Sequence, residues 1–168
     1  PEDMHLLAGV PEALRRLKEA GFKLVVVTNQ AGVARGYYTE DDVKELHRYM
    51  NELLAGQGVK IDAFYYCPHH PEHGIGKYKV RCHCRKPETG MFEMAEQDFA
   101  VDKASSWMIG DKLIDMEAGR NYGVRTVLVG TGYGAGVHEE QKKKGDFPYD
   151  LYADDLLEAY NEINRETA

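Results

Sequence analysis

The chain has 168 residues, with 21 basic and 28 acidic side chains and a net charge of −7. Hydrophobic residues are 43% and charged residues 29%, a balance that excludes a disordered chain and fits one folded domain, 1–168, with a core. The longest aliphatic run, Leu24-Val25-Val26-Val27, is far short of the ~20 apolar residues of a membrane span. The acidic balance disfavours nucleic-acid binding, which draws on surplus Lys and Arg. Three cysteines and no visible signal peptide argue against a disulfide scaffold and for a cytoplasmic protein that uses its thiols for a metal or for reactivity. A monomer is expected.

Pro11 suits the first turn of a helix that Gly21 ends. Phe22 to Thr28 is a short β-branched run of the kind found in strands buried on both faces. Asn29 to Gly36 reads as a polar loop. Thr39-Glu40-Asp41-Asp42 resembles a capping box opening a helix over 40–55, with Val43, Leu46, Met50, Leu53 and Leu54 on one stripe. Ile61 to Tyr66 is the next strand. Cys67 to Lys86 has no periodicity, and a loop of that length in a compact domain needs a reason. A helix over 89–99 follows, then a strand Trp107-Met108-Ile109 ending in Gly110-Asp111. Leu113 to Tyr122 is helical up to Gly123, Arg125 to Val129 is a strand, and Gly130 to Gly136 reads as a flexible loop. A basic helix near 138–144, a strand near 149–152 and a helix near 154–165 complete an α/β alternation. It implies a Rossmann-like parallel sheet of about five strands with flanking helices. Ligands in such sheets sit at the strand C-terminal ends.

The long loop contains all three cysteines and four of the seven histidines. Cys67-x-His69 and Cys82-x-Cys84 supply three thiolates and an imidazole, the donor set of a closed tetrahedral zinc site, which holds shape rather than doing chemistry. His69 is the expected imidazole ligand because Pro68 extends the turn after Cys67, with His70 as a substitute.

Three polar clusters follow strands or the loop: Thr28-Asn29-Gln30, Arg85-Lys86-Pro87 and Gly110-Asp111-Lys112. Donors from Thr, Asn, Arg and Lys suit phosphate oxygens, and a hard carboxylate suits magnesium. Each cluster also has a plainer reading. Thr28-Asn29 is a turn, Lys86 a solvated side chain, and Asp111 the N-cap of the Leu113 helix.

The segments Val25 to Gly36, Tyr65 to Pro71, Cys82 to Pro87 and Met108 to Lys112 together resemble the haloacid dehalogenase-like phosphatases. Within them the chain is most similar to the D-glycero-D-manno-heptose 1,7-bisphosphate 7-phosphatases. The resemblance implies a haloacid dehalogenase-like fold with a zinc loop at 67–86 in place of a cap domain. It implies a magnesium-dependent phosphatase that removes the 7-phosphate of a heptose bisphosphate in nucleotide-activated heptose biosynthesis. Thr28 and Asn29 would hold the transferring phosphoryl group, Lys86 would neutralise charge on it, and Asp111 would bind Mg2+. Arg85, Lys112 and Arg35 would contact the sugar phosphate, and Cys67, His69, Cys82 and Cys84 would bind Zn2+. The Cys-Pro-His-His-Pro wording and Arg35-Gly36 favour this over the similar histidinol-phosphate phosphatases. A catalytically inactive zinc-stapled binding module is the alternative of another class.

One departure bears on activity. The nucleophile of these phosphatases is the first Asp of Asp-x-Asp-Gly-Thr at the end of their first strand, and residues 1–168 contain no Asp-x-Asp. Asp3 follows no apolar strand. The expectation is that the first strand, central in the sheet between the Val25 and Trp107 strands, lies upstream of Pro1. Residues 1–168 by themselves are then expected to be inactive, because an aspartyl-phosphate cannot form without that carboxylate.

Overall fold

The computed structural model describes residues 9–167. Asp3 lies outside them. The described residues form two compact units: one contains the chain up to Arg85 together with Gly90–Asp98, the other Lys86–Thr89 together with the chain from Phe99.

In the first unit, α1 (Val10–Glu19) buries Ala13 and Leu17, and it carries Pro11 in its first turn as expected. The strand that follows, β1 (Val25–Asn29), starts later than the apolar run suggested. Phe22 is used to close α1, its N–H bonding Leu17 O at 3.1 Å. Leu24 exchanges hydrogen bonds with Asp62: its N–H reaches the carboxylate at 2.7 Å and its carbonyl takes the Asp62 N–H, also at 2.7 Å. Asp62 thus starts the ladder between β1 and β2 (Ala63–Cys67), which run parallel with Thr28 opposite Tyr66 and Asn29 opposite Cys67. Only half-buried along its length, β1 departs from the expected double-sided burial.

The 29–36 segment is not simply a loop, since Ala31–Ala34 forms a helical turn, α2, with Val33 and Ala34 buried. The capping box is present: Thr39 accepts from Asp42 N–H and the Asp42 carboxylate accepts from Thr39 N–H, opening α3 (Glu40–Ala55). The apolar stripe of α3 includes His47, buried and stacked on Phe64 at 4.3 Å between ring centroids. Burial depresses its pKa, so the neutral ring packs as a hydrophobe. Beyond β2 the long loop holds only a 3-10 turn at Gly76–Tyr78, and α4 (Gly90–Asp98) completes the unit.

In the second unit, β3 (Trp107–Gly110), β4 (Arg125–Val129) and β5 (Leu151–Ala153) form a parallel sheet in the order β3-β4-β5. The five expected strands are therefore all present, each parallel to its neighbours in its own sheet, but they form a two-stranded and a three-stranded sheet. Among the described residues, β1 is hydrogen-bonded only to β2 and β3 only to β4. Helix α5 (Leu113–Tyr122) ends where expected at Gly123, whose φ of 98° is left-handed and favours glycine. Asp150 repeats the device of Asp62, accepting from Thr126 N–H at 2.8 Å and from its hydroxyl at 3.2 Å at the start of the β4–β5 ladder. Fully buried Met116 and Leu128 pack with Tyr149 at the core, each of the two aliphatic side chains contributing about 1.5–3 kcal/mol by burial.

The glycine-rich stretch is not a flexible loop. Helix α6 (Gly134–Lys144) begins inside it. A Cβ on Gly134 would sit 1.5 Å from Val129 O, so glycine there permits close packing of helix on strand. Finally, α7 (Leu156–Thr167) lies next to β5 in the chain and buries Ala159 and Ile163.

Candidate functional site

The Cys/His loop gathers its donors. Cys67 Sγ, a nitrogen of His69, Cys82 Sγ and Cys84 Sγ lie within 4.8 Å of one another. His69 presents Nδ1, 3.8 Å from Cys67 Sγ and 3.7 Å from Cys84 Sγ. These match the separation of about 3.7 Å between ligand atoms around a tetrahedral zinc with thiolate bonds near 2.3 Å. The three sulfurs crowd together, with Cys84 Sγ beside both Cys67 Sγ and Cys82 Sγ. The Cys84 hydrogen bond holds the Cys67 thiol down at about 5. That same bond pushes Cys84 well up, because Cys84 keeps the shared proton. A divalent cation would take the place of that proton, and three soft sulfurs with one imidazole fit zinc.

The gathered cluster contains His69 and not the alternative His70. His70 Nδ1 accepts the backbone N–H groups of Glu72 at 3.1 Å and His73 at 3.0 Å, shaping the turn instead. The loop is also tied to α3 through Glu40, whose carboxylate accepts from Tyr66 Oη at 2.8 Å and Tyr78 Oη at 2.6 Å. Composition gave no sign of this tie, since a glutamate in the first helical turn ordinarily faces water.

Thr28 and Asn29 stand at the C-terminal end of β1, in register with the start of the Cys/His loop on β2. Thr28 Oγ1 accepts from Gln30 Nε2 at 3.3 Å, and Gln30 Oε1 accepts from Tyr38 Oη at 2.6 Å. Arg35 is the exposed C-cap of α2. Arg85 follows the last cysteine, and its Nη1 is buried without a hydrogen-bond partner among the described residues. A guanidinium N–H in that condition suits an incoming anion.

The second unit contains the other expected residues at the end of β3. Lys86 is not a solvated side chain: Nζ lies 2.5 Å from Asp115 Oδ1, with the two side chains only 10% and 7% exposed. The other oxygen of Asp115 accepts Lys112 N–H at 3.2 Å, which fixes the start of α5. Asp111 is not the N-cap of that helix, a place taken by Lys112. Its Oδ2 instead accepts the Tyr133 N–H at 3.1 Å from the glycine-rich stretch. Lys112 Nζ stands 4.9 Å from the Tyr133 ring centroid. The pairing of Asp115 with Lys86 joins residues 29 positions apart and needed the fold.

Residues 83–159 match the family model described as "HAD-hyrolase-like". A D-glycero-beta-D-manno-heptose-1,7-bisphosphate 7-phosphatase of Haemophilus ducreyi is 46% identical over 147 residues, covering 86% of this chain and 79% of the relative. The chain belongs to this family of haloacid dehalogenase-like phosphatases. The Vibrio cholerae protein of the same name is 48% identical over 131 residues, covering 77% of this chain and 70% of its own. Among solved structures, a D,D-heptose 1,7-bisphosphate phosphatase from B. bronchiseptica, complexed with magnesium and phosphate, superposes with a TM-score of 0.79. It has 32% identity, with 95% of this chain and 84% of that one covered. The structure of a D,D-heptose 1,7-bisphosphate phosphatase from Burkholderia thailandensis matches with a TM-score of 0.66 at 29% identity, over 94% and 85% of the two chains.

Proposed function

We propose that this protein is a phosphatase that hydrolyses the 7-phosphate of D-glycero-D-manno-heptose 1,7-bisphosphate, leaving the 1-phosphate for nucleotide activation. The carrying observation is that relatives with this activity in their names cover most of the chain at 43–48% identity. In this reading Thr28 and Asn29 donate to the transferring phosphoryl group, and Arg85 offers its unpartnered N–H to the sugar phosphate, with Arg35 and Lys112 as further contacts. Lys86 places its charge on the phosphoryl oxygens, while Asp115 holds that ammonium in place. Asp111 would hold the magnesium ion, which when bound supplies positive charge to the departing phosphoryl oxygens. Cys67, His69, Cys82 and Cys84 would hold zinc, which pins the loop. The protein's work is then positioning and electrostatic stabilisation. A single-domain cytoplasmic monomer is proposed with it. Among the described residues no helix is long and apolar enough to cross a membrane.

The test is phosphate release by the product of the complete reading frame with magnesium, followed by 31P NMR to identify the ester lost. Loss of the 7-phosphate with the 1-phosphate retained is expected. Faster turnover of histidinol phosphate, or loss of the 1-phosphate, overturns the reading. Residues 1–168 alone, without an Asp-x-Asp pair, are expected to release none.

A further inference from the structure

We propose that Gln30, oriented by Tyr38, is a positioning residue that aims the Thr28 hydroxyl proton at the transferring phosphoryl group; this rests on the phosphatase reading above. Four observations carry it. The first concerns the Gln30 backbone, which is fixed at both ends. Its N–H donates to Cys67 O at 2.7 Å, one step beyond the β1–β2 register, and its carbonyl accepts Val33 N–H at 3.1 Å as α2 begins. The side chain therefore leaves from a rigid point.

The second is the chain of bonds from Tyr38 Oη to Gln30 Oε1 at 2.6 Å and from Gln30 Nε2 to Thr28 Oγ1 at 3.3 Å. A primary amide is asymmetric, with acceptors at one end and donors at the other. Once the phenol donates to Oε1, Nε2 must be the end that faces Thr28.

The third is the seat of Tyr38. Its ring lies directly against Gly32, where an added Cβ would stand 2.2 Å from Tyr38 Cε1 and 2.6 Å from Tyr38 Oη. The turn Gly32-x-x-x-Gly36 is closed by Tyr37 N–H on Gly32 O at 2.8 Å, so the ring rests on backbone. Glycine at 32 is what lets the phenol reach Gln30.

The fourth is the chemistry left to Thr28. A hydroxyl has one proton and two lone pairs. With Nε2 on the acceptor side, the proton points away from Gln30. Asn29 O, the acceptor it meets among the described residues, is 3.4 Å away, a weak contact. An anionic phosphoryl oxygen is a stronger acceptor, and the bond to it is charge-assisted. Were the amide reversed, Oε1 would accept the Thr28 proton and turn it away from substrate.

The experiment measures kcat, KM and inhibition by inorganic phosphate for the complete gene product carrying Tyr38→Phe, Gln30→Ala, Gln30→Glu, Thr28→Ala and the Gln30→Ala/Thr28→Ala pair, with zinc content as a folding control. Tyr38→Phe keeps the ring on Gly32 and removes only the hydroxyl. Losing the aim of one donor to a charged group is expected to lower kcat/KM about tenfold in Gln30→Ala and less in Tyr38→Phe, with kcat falling more than KM rises. Gln30→Glu is expected to lose about a hundredfold, because a carboxylate accepts the Thr28 proton and repels phosphate. In the Thr28→Ala background the Gln30→Ala effect should vanish, and Thr28→Ser should restore it. An active wild type in which Gln30→Ala costs the same with and without Thr28, or in which Tyr38→Phe and Gln30→Glu stay within twofold of wild type, overturns this inference alone. A wild type that releases no phosphate overturns the phosphatase reading and this inference with it.

Discussion

The Lys86–Asp115 pair makes the sharpest prediction, because it separates what Lys86 does for the fold from what it does for chemistry. Both side chains are nearly buried, with Nζ and Oδ1 2.5 Å apart. Removing one partner of a buried pair leaves a charge without compensation and costs about 3–5 kcal/mol. Asp115→Asn keeps an oxygen for Lys112 N–H, so its loss is that of the pair alone, about 3 kcal/mol. Asp115→Leu also frees that N–H and costs about 1 kcal/mol more. The double change Lys86→Met/Asp115→Leu buries no charge and should recover all but the last increment. Trp107, the single tryptophan, lies on β3 in the same unit and reports its unfolding. In urea, with a slope of about 1.5 kcal/mol per molar, Asp115→Asn should lower the Trp107 fluorescence midpoint by about 2 M. The double variant should sit within about 1 M of wild type yet release no phosphate. Midpoints of Asp115→Asn and Asp115→Leu within about 0.3 M of wild type, or a double variant that loses the sum of Asp115→Leu and Lys86→Met measured singly, would refute the reasoning.

Two further outcomes are expected. Metal analysis should find one zinc per chain in the wild type and in His70→Ala, and none in Cys84→Ser, since the fold gathers His69 with the three sulfurs; a His70→Ala protein without zinc would reassign the imidazole ligand. The Tyr78 and then the Tyr66 hydroxyl hold the Glu40 carboxyl below its ordinary value of 4.5, so its contribution to stability is present above that pH and is lost as pH falls through the folded value. In metal-free protein, the urea midpoints of wild type and Glu40→Gln should therefore differ at pH 7, and the gap should narrow as the pH is lowered below 4.5; a gap that does not change with pH contradicts the assignment.

Much was legible along the chain because it is written in local physics. Thr39 and Asp42 announced the start of α3, Gly123 the end of α5, and short apolar runs the five strands. The paired spacing of Cys67, His69, Cys82 and Cys84 announced a metal-type cluster that the fold gathers within 4.8 Å. Where the chain misled, a short-range signal had two physical meanings. Gly130 to Gly136 reads as flexibility, yet Gly134 is there because Val129 O leaves no room for a Cβ. Phe22 to Leu24 reads as strand, yet their backbone groups close α1 and meet Asp62.

Residue types and their order by themselves determined the family and the donor set of the Cys/His loop, because both depend on chemistry carried in short motifs. Tertiary structure alone decided which polar groups are spent on one another. Lys86 meets Asp115, Glu40 takes two tyrosine hydroxyls, Asp111 leaves the helix cap for Tyr133 N–H, and Tyr38 orients Gln30 toward Thr28. Hydrogen bonds act over about 3 Å. Residues 8 to 38 positions apart along the chain come within that reach only after the backbone has folded.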